Sequence, residues 1–231
     1  MSVQAYAKLA VFMGGLVGLG VELAAERLLA PAFGTTLDLW SIIIGLTFTA
    51  LSAGYELGGR IIDRRPTHRI VSICLLVAGA WSLLIALLGR TIVDAIQELT
   101  FDFGGLRLGI FLSVLLLITV PPFVIGIITP AAIRLVVPRV GAAGSSAGTI
   151  YALGTIGSLL GTFLPVIVLI PRIGVRNTFL CMAAAGLATG ALGFTSLVRD
   201  TASAMVVEAV EEPDGEGFAP TRAVDQRPQS G

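Results

Sequence analysis

The sequence predicts an all-α, polytopic membrane protein, and three observations lead there. Of 231 residues, 55% are hydrophobic and only 13% are charged, about half the charged share of an ordinary soluble domain. Mean hydropathy is +0.92. The apolar residues fall in runs that reach the roughly 20 positions a helix needs to cross a bilayer. A chain of this size cannot hide so much apolar surface in one water-soluble core. The same composition excludes a disordered chain, a basic nucleic-acid-binding domain and a disulfide-stapled secreted module.

Six stretches qualify as spans. The first runs from Lys8 to about Ala30. Its apolar run and the Ala30-Pro31-Ala32 triplet imitate a signal peptide, but Glu22, Glu26 and Arg27 interrupt the run, so an uncleaved span is expected. The second runs from about Leu39 to Gly59, with Trp40 at the outer end where interfacial aromatics gather. The third is Ile70 to Gly89. Residues 91–105 follow it, with Ile92, Val93, Ile96 and Leu99 on one helical face, and read as a short separate interfacial helix. The fourth, about Leu108 to Leu135, contains Pro121, Pro122 and Pro130. The fifth, about Ser146 to Ile170, contains Pro165 and is followed by Pro171, and the sixth is about Thr178 to Val198. Proline removes an amide donor and clashes with the preceding turn, so the fourth and fifth helices are expected to kink or break. Residues 1–199 therefore form the membrane domain. Residues 200–231, with seven of the fifteen acids, read as a disordered cytoplasmic tail.

Arginine placement sets the orientation. Arg60, Arg64, Arg65 and Arg69 lie between the second and third spans, and Arg134 and Arg139 between the fourth and fifth. With Lys8 and Arg199 that side holds eight basic residues, against five (Arg27, Arg90, Arg107, Arg172, Arg176) on the other. The positive-inside rule puts both termini in the cytoplasm of a cell whose plasma membrane the chain crosses.

No soluble-enzyme motif is present. His68 is the single histidine and lies in a loop, so a histidine metal site or triad has no support, and no Walker A loop occurs. No cofactor is expected. Cys74 and Cys181 lie within spans and read as small packing residues. The small-residue spacings Gly54/Gly58 and Gly154/Gly157/Gly161 read as close helix–helix contact, which membrane bundles need.

The informative residues are the acids inside the spans. Glu22 and Glu26, four apart, share a helical face. Two such carboxylates repel each other and need a cation, a proton or water between them. Glu56 lies near the inner end of the second span. A charge at the bilayer centre costs about 3 kcal/mol, so it usually faces the bundle interior or an aqueous cavity. For Glu22 a cation or proton site and a structural pair stay equally open. For Glu26 and Glu56 the structural reading is favoured: Glu26 with Arg27 marks the outer interface, and Glu56 pairs with Arg60 one turn on or with Arg134 across the bundle.

Four segments, in order, resemble the membrane domain of the fused spermidine synthase-like proteins: VELAAERLLAPAFGTTLDLWSIIIG (21–45), ALSAGYELGGRIIDRRP (50–66), PPFVIGIITPAAIRL (121–135) and AGTIYALGTIGSLLGTFLPVIVLIPRIGVRNT (147–178). The resemblance covers residues 8–198. That membrane domain is itself similar to half of a major facilitator transporter. Gly59, Asp63 and Arg64 match the spacing of the facilitator loop motif G-x-x-x-D-R, with Pro66 where that motif usually has glycine. In the fused proteins an aminopropyltransferase domain with a G-G-G-D-G-type signature follows the bundle. This chain lacks that signature, and the tail after Val198 is too short for such a domain. The resemblance therefore implies a non-enzymatic membrane module that anchors or cooperates with a soluble aminopropyltransferase-like partner, or handles polyamine at the membrane. A cation- or proton-coupled transporter acting as a homo-oligomer, and a structural membrane protein without a ligand, are the alternatives.

Overall fold

The computed structural model describes residues 1–64, 66–103, 105–136 and 143–195, the side chains of 101–103 and 143 excepted. The expected loop charges Arg65, Arg139 and Arg199 and the acidic tail lie outside the described residues. Seven α-helices follow one another: α1 (Val3–Phe33), α2 (Leu37–Arg64), α3 (His68–Phe103), α4 (Gly105–Leu117), α5 (Val120–Val136), α6 (Ala143–Phe163) and α7 (Ile170–Leu192). A π-helical turn, Leu164–Leu169, joins the last two. Val3–Phe33, Leu37–Arg64, His68–Thr100 and Gly144–Leu192 are each long and apolar enough to cross a membrane, and α4 with α5, bent by 45°, makes a fifth such stretch.

Local chemistry explains the boundaries. Ser2 caps α1, its hydroxyl accepting from the Ala5 amide at 3.2 Å. Gly34 ends that helix at φ 75 and ψ 175, in a region that essentially only glycine occupies, and its amide bonds back to the Ala30 carbonyl. Thr36 then accepts from the Leu39 amide at 3.2 Å and opens α2. The break between α4 and α5 sits one turn before Pro121 and Pro122. Pro121 has no N–H to give the Leu117 carbonyl, its helical partner four residues back. The Trp81 indole N–H supplies that bond instead, at 3.0 Å.

Residues 91–105 do not form a separate interfacial helix, as their pattern suggested. Through Phe103 they continue α3. The helix runs on through Gly89 without a proline to stop it, and an Arg90–Asp94 ion pair of 3.3 Å spans the junction. Leu99, expected on the apolar face, is exposed.

Glycine contacts fix the direction of each helix. Gly15 lies against Gly154 and Ser158, and Gly161 against Leu16, so α6 runs parallel to α1. Gly54 meets Phe123 and Gly126 while Gly58 meets Ile127, so α5 runs parallel to α2. Gly79 meets Leu187 and Gly190 meets Ser72, so α7 runs antiparallel to α3. It also runs antiparallel to α1, because Tyr6 Oη donates to the Thr189 carbonyl at 3.2 Å while Gly20 packs on Met182. Since α6 runs with α1 and α7 against it, the chain must reverse between them. It does so around Gly174, whose φ 80 and ψ 168 are non-helical.

Tyr6, Ser72 and Thr189 tie α1, α3 and α7 together at one end of the bundle, with Tyr6 Oη 2.8 Å from Ser72 Oγ. The largest fully buried side chains include Tyr6 and Leu29 of α1, Leu75 of α3, Ile128 of α5 and Phe179 of α7.

Candidate functional site

A cavity of about 250 Å³ lies among α1, α2, α5 and α6. Its floor is α1 and α5, where Gly14, Gly15 and Gly18 leave room and Ile125 and Ile128 face them. Its walls are α2, through Thr47, Leu51 and Tyr55, and α6, through Tyr151, Gly154 and Ser158. Most of the lining is apolar, as expected of a ligand pocket with a few placed polar groups.

Glu22 is the acidic residue of that lining. Thr47 of α2 is its neighbour across the helix interface. Thr47 is only 8% exposed, and its hydroxyl has the Glu22 carboxylate as its hydrogen-bonding neighbour. Beside a carboxylate in a cavity, such a group is ready for a donor or acceptor that enters. Tyr55 lies two turns further along α2, about 12 Å from Thr47 at a helical rise. Tyr55 and Tyr151 are exposed at 42% and 59% and line the same cavity from its opposite walls. The site is thus elongated, with a carboxylate toward one end and two phenol rings toward the other.

The other sequence candidates lie elsewhere. Glu26 is buried, but it does not line the cavity, and its carboxylate is 3.3 Å from Arg27 Nε. The spacing that puts Glu22 and Glu26 on one face therefore does not make them one site. Glu56 does not face an interior. Its side chain is 68% exposed and pairs with Arg60 at 2.5 Å, the nearer of its two expected partners. Arg134, the alternative partner, is exposed in the last turn of α5 and makes no ion pair with Glu56. Gly59 is half-buried, and Asp63 and Arg64 are exposed in the last turn of α2, away from the cavity lining.

Sequence reasoning missed Thr47, Tyr55 and Tyr151. A threonine in an apolar run ordinarily bonds the carbonyl four residues back, as Thr49 does to Gly45 and Thr155 to Tyr151. Only the packing of α1 on α2 shows that Thr47 does not. Among the described residues, no three His, Cys, Asp or Glu side chains converge as a metal-binding group. No protein-family model, curated protein or solved structure shows significant similarity to the chain.

Proposed function

We propose that this chain is a non-enzymatic, multi-pass module of the plasma membrane that takes up a cationic amine in the cavity between α1, α2, α5 and α6, with Glu22 as its counter-charge. The observation that carries the reading is the Glu22 carboxylate beside the Thr47 hydroxyl inside a mostly apolar cavity. An ammonium group is a donor without an acceptor, so it suits a carboxylate and a hydroxyl oxygen together. The phenol rings of Tyr55 and Tyr151 suit a second cationic centre through cation–π contact. An elongated amine of the polyamine class has that form.

In this reading the bundle crosses the membrane six times, with α4 and α5 as one bent crossing and α6 and α7 as two. The alternating helix directions and the reversal at Gly174 support the count. Both termini lie on the cytoplasmic side. The half-facilitator arrangement draws support from the helix partnerships. Exchanging the first three crossings with the last three turns the α1–α6 pairing into the α5–α2 pairing and leaves α3–α7 unchanged, as a three-plus-three repeat requires. A soluble aminopropyltransferase-like partner fits the family resemblance.

Thermal unfolding in detergent tests the proposal. A ligand that binds only the folded state stabilises it by about 1.4 kcal/mol at ten times its Kd. Spermidine should raise the melting point of the wild type, and Glu22→Gln should abolish most of that rise while leaving the unliganded melting point near normal. An equal rise in both proteins would remove Glu22 from the site. A transporter acting as a homo-oligomer is the second reading, favoured by the exposed tyrosines where the cavity meets its surroundings. Spermidine flux into liposomes that depends on Glu22 would favour it over binding alone.

A further inference from the structure

A second cavity, of about 390 Å³, lies where α1, α3 and α7 meet. Leu28, Ile85, Leu87, Val175 and Phe179 give it an apolar lining, and Arg90 and Arg176 are its charged residues. Arg176 has no carboxylate within ion-pair distance among the described residues. Arg90 holds Asp94 at 3.3 Å, but the two side chains are 65% and 49% exposed. An exposed pair of that kind contributes about 0–1 kcal/mol and yields readily to a better anion.

Depth places the cavity at a headgroup. Arg69 and Arg90 lie 21 residues apart on α3. That is about 32 Å along a helix, close to the roughly 30 Å of a hydrocarbon core. With Arg69 at one interface, Arg90 is therefore at the other, and the apolar lining of the cavity lies on the hydrocarbon side. Arg176 reaches the same level because the chain reverses at Gly174, two residues earlier.

We propose that this cavity binds an anionic phospholipid, with an acyl chain along Leu28, Leu87 and Val175 and the phosphate between the Arg90 and Arg176 guanidiniums. Guanidinium groups match phosphate oxygens with paired N–H donors. Basic pockets between transmembrane helices on the cytoplasmic side recognise anionic headgroups, and this cavity presents the same guanidinium chemistry on the opposite side. The apolar depth of the cavity selects a lipid over a free anion. This site shares no residue with the Glu22 cavity.

The full chain, reconstituted in vesicles of phosphatidylcholine and phosphatidylglycerol at four to one, is released and weighed by native mass spectrometry. Phosphatidylglycerol should be retained in clear excess over its share of the vesicle. Arg176→Gln should lower that retention at least fivefold, while Arg172→Gln, outside the cavity lining, leaves it unchanged. Arg90→Gln removes only an exposed ion pair, so it should fold normally and still lower retention. Retention of the two lipids in proportion to the vesicle overturns the proposal, and so does unchanged retention in Arg90→Gln. A melting-point rise with inorganic phosphate equal to that with phosphatidylglycerol would make this a free-anion site and overturn the lipid assignment.

Discussion

Pro121 leaves the Leu117 carbonyl without its helical donor, and the Trp81 indole fills the gap from a different helix. The bond lies where water is scarce, so losing it strands the carbonyl. Trp81→Phe, which keeps most of the aromatic bulk, should lower stability by about 1–3 kcal/mol in detergent unfolding. An unchanged midpoint would mean that another donor reaches Leu117. At this scale the sequence was legible in one sense and opaque in another. Glu22, Glu26 and Glu56 stand out as acids in apolar runs, and Glu22 does line a cavity. Which way an acid points depends on the rotation of its helix against its neighbours. Glu56 turns outward to Arg60 because Gly54 and Gly58 are the residues pressed against α5.

Glycines set the separation of the helices. A side chain on Gly157 would collide with the Phe12 backbone, whereas one on Gly45 would meet nothing within 4 Å. Gly157→Val should therefore lower stability by about 3 kcal/mol or more, since α1 and α6 must part. Gly45→Val, an equal change in composition, should move the unfolding midpoint little. Comparable effects at both sites would show that valine in a helix, and not helix spacing, is responsible. The sequence marked the small-residue spacings of α2 and α6 but not which partner each glycine serves, because the partners lie far away in the chain. The proline-rich fourth stretch was legible as a broken helix, and it is bent by 45°. The extent of α3 was not, since an amphipathic stretch past an interface looks the same whether or not the helix behind it stops.

Across the whole molecule, the helical, multi-crossing character follows from composition and from the length of the apolar runs. The pairing of helices does not, because apolar faces in a membrane carry little information about which neighbour they meet. The most extensive partnerships are α1 with α6, α2 with α5 and α3 with α7. Each joins a helix of the first half of the chain to one of the second. Residues 1–103 and 105–231, made as separate polypeptides in one cell, should therefore assemble and purify together. The first fragment made alone should be degraded. If that fragment resists proteolysis by itself, the cross-half partnerships are not what stabilises the bundle.

Those partnerships also order events in time. A ribosome delivers α1, α2 and α3 to the membrane first, and none of the three meets its main partner within that group. Their glycine grooves face lipid until the second half arrives, and α1 waits longest among the early helices for a complete surround, since α6 and α7 are the last to be made. A ribosome stalled late in the message would thus leave a chain with most of its crossings inserted and its central helix still without α6 and α7. Cellular quality control has its longest opportunity at that moment, and destabilising changes in α6 should shorten the life of the protein out of proportion to the length of chain they affect.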